Sequence, residues 1–256
     1  TAQRMTSAVV SARRVIHLLS VQTTNRWGTN ESPDPRANLR DGRSGVEITH
    51  GELLVIVSDS PLVADDLCDR LGGYADADHT YLGNLPLTTF TRNAIRRTIY
   101  VQEKEPAILS GTISSIFAVT HSGRISIAEA IDAASAQDIL DSLEGEGMDA
   151  EVVERGRTLS GGQRQRLAVA RTLFIDAPIV FLDDPTSAVD AHTEARIAAR
   201  LSALRQGSTT VIFSNSPLIL DRADRVILIL DGKFFREGTH ESLLTSTHEY
   251  RELVMR

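Results

Sequence analysis

The chain has 256 residues, with 27 Lys and Arg against 34 Asp and Glu, a formal charge of −7. That length predicts one or two domains with ample core, and 41% apolar with 24% charged residues excludes wholesale disorder. The acidic excess argues against a nucleic-acid binder, no apolar run approaches the ~18 residues of a membrane span, and the single Cys68 excludes an internal disulfide framework.

In chain order, residues 1–22 place Met5, Val9, Val15, Ile16 and Leu19 at near-helical spacing opposite Arg4, Arg13 and Arg14, which predicts an amphipathic helix. Its start in mid-pattern, without a cap, predicts that it continues an element lying before it. Residues 23–44, rich in Asn, Pro, Asp, Arg and Gly, read as a linker. After Gly51, Leu53–Val57 has the pattern of a buried parallel strand, and Asp65–Leu71 reads as helix. Strand-like runs follow at Thr98–Val101, Pro178–Leu182, Thr209–Phe213 and Val226–Leu230, while Ile125–Leu143 and Gln163–Phe174 are helical by pattern. Short apolar strands alternating with helices predict an α/β fold around a parallel sheet.

Two segments carry chemistry. Leu159-Ser160-Gly161-Gly162-Gln163-Arg164-Gln165-Arg166 puts a hydroxyl and two glycines directly before a helix, which suits a phosphate at a helix N-terminus. About twenty residues on, the apolar run Ile179–Leu182 ends in Asp183 and Asp184, which could handle a metal ion and a water at a strand's carboxyl end. Taken singly, each is equally an ordinary helix entry or a pair of acids closing a strand.

Together, LSGGQRQRLAVART followed by PIVFLDDPTSAVD resembles the nucleotide-binding domain of ABC transporters. Leu159, Ser160, Gly161, Gly162 and Gln163 match that family's signature motif, Asp183 ends its Walker B strand, and Ser187, Ala188, Val189 and Asp190 match its D-loop. Gln102 stands where the family has its Q-loop glutamine. Glu151–Gly156 resembles the segment with which exporter-type members contact transmembrane domains, and Asp231–Lys233, Glu237–His240 and Leu243–Leu244 follow the exporters' C-terminal pattern. The resemblance implies a RecA-like α/β core over residues 45–256 with an inserted helical subdomain at roughly 103–158. It also implies dimers in which ATP and Mg2+ lie between one chain's P-loop and the other's signature.

The chain departs from the family where a P-loop, G-x-x-x-x-G-K-[ST], should begin at Ser58. Both glycines are lost, to Ser58 and Val63; Ala64 replaces the lysine, and Asp65 replaces the hydroxyl that binds magnesium. Pro61 and Val63 oppose the required backbone, and Asp65 and Asp66 add anions beside the phosphates, each unit-charge pair at 4 Å repelling by about 4 kcal/mol at a surface-like dielectric. Asp184 occupies the catalytic glutamate position, one methylene short, and Asn215 the switch-histidine position. Trp27 reads as a surface tryptophan packing on the N-terminal helix, not as an adenine platform.

The expectation is therefore a degenerate nucleotide-binding domain of a heteromeric ABC exporter, with little or no ATPase activity alone and an empty site of its own. Asp183 and Gln102 would take Mg2+ there if any bound. Its partners would be a second nucleotide-binding domain with an intact Walker A motif and transmembrane domains, at the cytoplasmic face of a membrane. The alternatives are a soluble non-catalytic scaffold of ABC fold and an ATPase that binds nucleotide by an atypical route. Asp76, Asp78 and His79 read as a solvated turn, Cys68 as a small buried residue, and Arg96 and Arg97 as surface charges.

Overall fold

The computed structural model describes residues 27–143, 147–152 and 159–255. The helix expected over residues 1–22 and most of the exporter-like segment 151–156 lie outside them. In chain order the described strands are β1 (Leu39–Asp41), β2 (Glu47–Ile48), β3 (Leu53–Ser58), β4 (Thr80–Leu82), β5 (Leu85–Pro86) and β6 (Ile99–Gln102). After these come β7 (Gly111–Thr112), β8 (Glu151–Val152), β9 (Ile179–Asp183), β10 (Thr209–Phe213), β11 (Arg225–Leu230) and β12 (Lys233–Gly238).

β3 is apolar throughout because both of its faces are covered. Leu53, Val55 and Val57 join one core cluster, and Leu54 and Ile56 join another on the opposite face of the sheet. Each fully buried Val, Leu or Ile contributes about 1.5–3 kcal/mol, so this pentapeptide alone commits the middle of the sheet. The six strands run in the order β12-β11-β3-β10-β9-β6, parallel except for the antiparallel edge strand β12. Helices Gly161–Ile175 and Ala191–Leu204 pack on the Val55 face; helix Pro61–Leu71 and the small antiparallel sheet β2-β1-β4-β5 cover the Ile56 face. This is the expected α/β core around a parallel sheet.

The structure revises several boundaries. β1 lies within the stretch read as a linker; it has only three residues and ends in Asp41, a buried carboxylate held by Arg70 at 3.1–3.2 Å and by the Ser44 N–H at 2.8 Å, so no apolar run marks it. The helix read from Asp65 begins at Pro61, a residue whose fixed φ and missing N–H suit a first helical turn. Ile125–Leu143 is two helices, not one: Ile127–Ala133, opened by a Ser126–Glu129 capping box, and Gln137–Ser142, parted where Ser135 takes φ +50°. Thr98 closes a helix, Arg92–Thr98, and the strand starts one residue later.

Arg96 is more than a surface charge. It donates to the carbonyls of Gly72 and Gly73 at 2.6 and 3.2 Å and lies 3.6 Å over the Tyr74 ring, tying off the end of the Pro61–Leu71 helix. Trp27 is half-buried and packs against the second core cluster, beside Gly73; the helix it was expected to pack on lies outside the described residues. Cys68 is buried, and Asp76 sits in a turn where it pairs with Arg43 at 2.7 Å.

Candidate functional site

The carboxyl ends of parallel strands are where open α/β sheets place ligands. Here the ends of β3, β9 and β10 open onto a cleft of about 490 Å³, lined by Ser58, Asp65, Lys104, Asp183, Asp184 and Asn215 among others. The link from β3 to the next helix is only Asp59 and Ser60. Its polar groups are spent locally: the Ser58 hydroxyl donates to the Ser60 carbonyl at 3.0 Å, and Asp59 Oδ2 accepts from the Asp231 N–H at 3.1 Å. Pro61 then starts the helix without an N–H, and the Ala64 N–H is taken by the Ser60 carbonyl at 3.1 Å. Among the described residues, no glycine loop of main-chain donors lines this cleft.

Charge sharpens the picture. Among the described residues, the cleft is lined by five carboxylates, Asp59, Asp65, Asp183, Asp184 and Glu194, against the single ammonium of Lys104. Burial, and then repulsion from Asp65, pushes the Asp183 carboxyl up to about 6. Lys104 Nζ lies 2.8 Å from Asp184 Oδ2, and this hydrogen bond holds the lysine above its usual range. Asp184 takes φ +42°, a left-handed conformation that Asp tolerates better than most residues, and donates its N–H to the Phe213 carbonyl at 2.9 Å. Asn215 follows β10 and faces the same cleft.

Two expected members of the site are elsewhere. Asp66 does not line the cleft; it pairs with Arg70 one helical turn on, the residue that also binds buried Asp41. Gln102, at the end of β6, is buried with its Oε1 accepting from the Thr172 hydroxyl at 2.7 Å, so it faces the Gly161–Ile175 helix and not Asp183. Lys104, two residues later, is the residue of this loop that reaches Asp184. Among the described residues, no three His, Cys, Asp or Glu side chains are grouped to hold a metal. A metal-bound triphosphate needs converging main-chain donors and cations, and the cleft residues present mostly acceptors.

A second face lies around the N-terminus of the Gly161–Ile175 helix. Ser160 is its N-cap: the Gln163 N–H donates to Ser160 Oγ at 3.2 Å, and the Ser160 N–H donates to Gln163 Oε1 at 2.8 Å. The side chains that the sequence points toward a nucleotide thus close a capping box here. The N–H groups of Gly161 and Gly162, in the first turn, have no acceptor within the helix. Leu159 is buried and anchors the entry to this helix. Beside it runs a polar hollow of about 540 Å³, lined by Ser160, Gly162, Gln163, Arg166, Val189 and Asp190 among others.

Gly162 has a packing reason: a Cβ there would lie 2.5 Å from the carbonyl oxygen of Ala188, so Ser187–Asp190 crosses directly against the helix's first turn. Asp190 in turn caps the next helix, accepting from the Thr193 N–H at 3.0 Å. Gln165, which carried no expectation, joins these parts. Buried, it donates to Ser187 Oγ at 2.8 Å and to the Lys104 carbonyl at 3.2 Å, and accepts from the Ala188 N–H at 2.9 Å. Its only sequence signal is an amide on the mainly apolar buried side of that helix, which it shares with Thr172.

Comparison with known proteins agrees with the motifs. The family model described as ABC transporter matches residues 84–187, which hold Lys104, Leu159–Gln163 and Asp183. The ATP-dependent lipid A-core flippase of Coxiella burnetii is 33% identical over 211 residues, 80% of this chain and 36% of that protein. The flippase of the same name from Burkholderia orbicola is 31% identical over 214 residues, 82% of this chain and 36% of that protein. The chain thus spans little more than a third of the length of these relatives. A bacterial Atm1-family ABC exporter with ATP bound superposes with a TM-score of 0.83 at 22% identity, over all of this chain and 48% of that one. Among the described residues, no helix is long and apolar enough to cross a membrane.

Proposed function

Because this chain belongs to the ABC transporters, as a nucleotide-binding domain of exporter type, we propose that it is the degenerate half of a heteromeric exporter. In this reading it presents Leu159–Gln163 to ATP held by the Walker A motif of a second nucleotide-binding domain, and Asp190 crosses to that partner. ATP-driven closure of the pair then works transmembrane domains, with which the segment around Glu151–Gly156 makes contact, from the cytoplasmic face of the membrane. In this scheme the nucleotide-binding domain expected over residues 45–256 also takes in β1 ahead of it, with the helical subdomain at roughly 103–158. The relatives bear the name of lipid A-core flippases; an amphiphilic lipid is accordingly the class of cargo to try first.

The observation that carries the reading is the contrast between the two faces. At Ser58–Asp66 the helix starts early at a proline, and the described residues give the cleft five carboxylates and one ammonium. A triphosphate entering it meets repulsion from each of those acids. At the other face a 15-residue helix opens on Ser160, Gly161 and Gly162, offering N–H groups and the positive end of a helix dipole. The Ser160 and Gln163 N–H groups, which donate to each other's side chains here, need only be redirected to phosphate oxygens.

Reconstitution with a partner carrying an intact Walker A motif tests the proposal. The Ser160→Arg complex should lose most of its ATPase activity, while the chain by itself should take up no Mg-ATP at micromolar concentrations. Unchanged activity in the variant complex, or micromolar binding by the chain alone, would overturn the reading.

A further inference from the structure

The two faces are joined by one short polar path through the molecule. Lys104 is gripped at both ends: its ammonium lies 2.8 Å from Asp184 Oδ2, and its carbonyl accepts from Gln165 Nε2 at 3.2 Å. Gln165 carries the path on to Ser187 Oγ and the Ala188 N–H. Ala188 lies so close to Gly162 that no Cβ fits between them. Asp184, at the near end, begins the same turn: its carbonyl accepts from the Ser187 N–H at 3.3 Å, and its own φ of +42° is sustained by its bonds to Phe213 and Lys104.

Ordinarily a cluster of carboxylates such as Asp65, Asp183 and Asp184 repels itself and loosens, unless a cation sits among them. In the lining of this cleft the cation belongs to the chain itself. Being tethered, it is present whether or not any nucleotide or metal is bound.

We propose that Lys104 and Gln165 form a built-in strut in which the lysine supplies the charge that holds Asp184 in place. The strut keeps Ser187–Asp190 and the Ser160–Gln163 helix entry in their nucleotide-receiving geometry with nothing bound in the chain's own cleft. This rests on the reading that the chain serves a partner's nucleotide. Both are positioning residues, since neither touches the second face directly: the Lys104 side chain acts through Asp184, whose carbonyl accepts from the Ser187 N–H, and Gln165 acts through Ser187 and Ala188. The strut makes the chain a constitutive acceptor surface, ready for each ATP the partner loads.

The test uses the full chain, alone and in complex with an intact-Walker-A partner, in the variants Lys104→Met, Lys104→Arg, Gln165→Leu and the double variant Lys104→Met/Gln165→Leu. In the complex, Lys104→Met and Gln165→Leu should each lower kcat about tenfold, with KM for ATP within twofold, because the partner's site sets ATP affinity. Lys104→Arg, which keeps the charge, should recover most of the rate. As both act on the same Ser187–Asp190 turn, the double variant should lose less than the product of the two single losses.

In the chain alone, hydrogen exchange at residues 186–189 should quicken at least threefold in Lys104→Met and return toward the parent rate in Lys104→Arg. The strut is overturned by an unchanged or raised kcat in Lys104→Met, by multiplicative losses in the double variant, or by unaltered exchange at 186–189. The exchange measurement needs no partner, so it fails separately from the proposed function, which falls with Ser160→Arg.

Discussion

Replacing Asp183 by Asn should stabilise the chain at neutral pH and do nothing at pH 4. Burial and the neighbouring Asp65 raise its carboxyl to about 6 from an ordinary 3.8. Between those values the folded chain binds a proton that the unfolded chain has released, so stability falls as pH rises through the window and stays reduced above it. A displacement of about two units corresponds to ~3 kcal/mol at 1.36 kcal/mol per unit. Asp183 is only part-buried at the rim of an open cleft, and solvent screening reduces that figure to about 1–2 kcal/mol. Asn keeps an oxygen for the Lys104 N–H, which hydrogen-bonds this side chain, so little else is lost.

Urea unfolding followed by far-UV circular dichroism at pH 4 and pH 7.5 measures the difference, and a thermal scan at pH 7.5 should rise by about 2–4 °C per kcal/mol. Asp65→Asn should reproduce part of the gain, and the two together less than the sum, because each removes the other's repulsion. Equal gains at both pH values, or a less stable Asp183→Asn chain at pH 7.5, would refute the electrostatic account of the cleft.

Elsewhere the same physics acts with the opposite sign. Burial opposes the Asp176 charge, but hydrogen bonds from Arg124, Ser122 and Arg205 outweigh it and hold the carboxyl below its usual range. Asp176→Ala leaves Arg205, only 3% exposed, without its 2.6 Å partner; urea unfolding at pH 7 should register a loss of about 3–5 kcal/mol. The parent's advantage over that variant should be complete above about pH 4 and fade as pH falls through the lowered native value, measured in the same assay. Gly162→Ala pushes a methyl against the Ala188 carbonyl, costing about 1–3 kcal/mol and displacing Ser187–Asp190. A chain that stays folded by circular dichroism but supports little partner ATPase is the expected outcome.

Much of this protein is legible in one dimension. Leu53–Val57, Thr209–Phe213 and Val226–Leu230 could be read as buried strands, because a strand covered on both faces must be apolar or β-branched at nearly every position, and that constraint is local. Ser160–Gln163 could be read for a related reason: helix entry, glycine access and capping all operate within four residues.

The three-dimensional arrangement alone decided which charges meet. Asp65 and Asp66 are neighbours in the chain, yet the helical turn sends Asp66 to Arg70 and leaves Asp65 facing Asp183. Gln102 and Lys104 stand two residues apart, yet the end of β6 buries the amide against Thr172 and turns the ammonium to Asp184. Gln165 binds a carbonyl 61 residues upstream and a hydroxyl 22 residues downstream. Apolar burial is a property of each residue's own side chain and so repeats visibly along the sequence. A hydrogen bond or an ion pair is a property of two residues, and only the packed sheet brings the second one within reach.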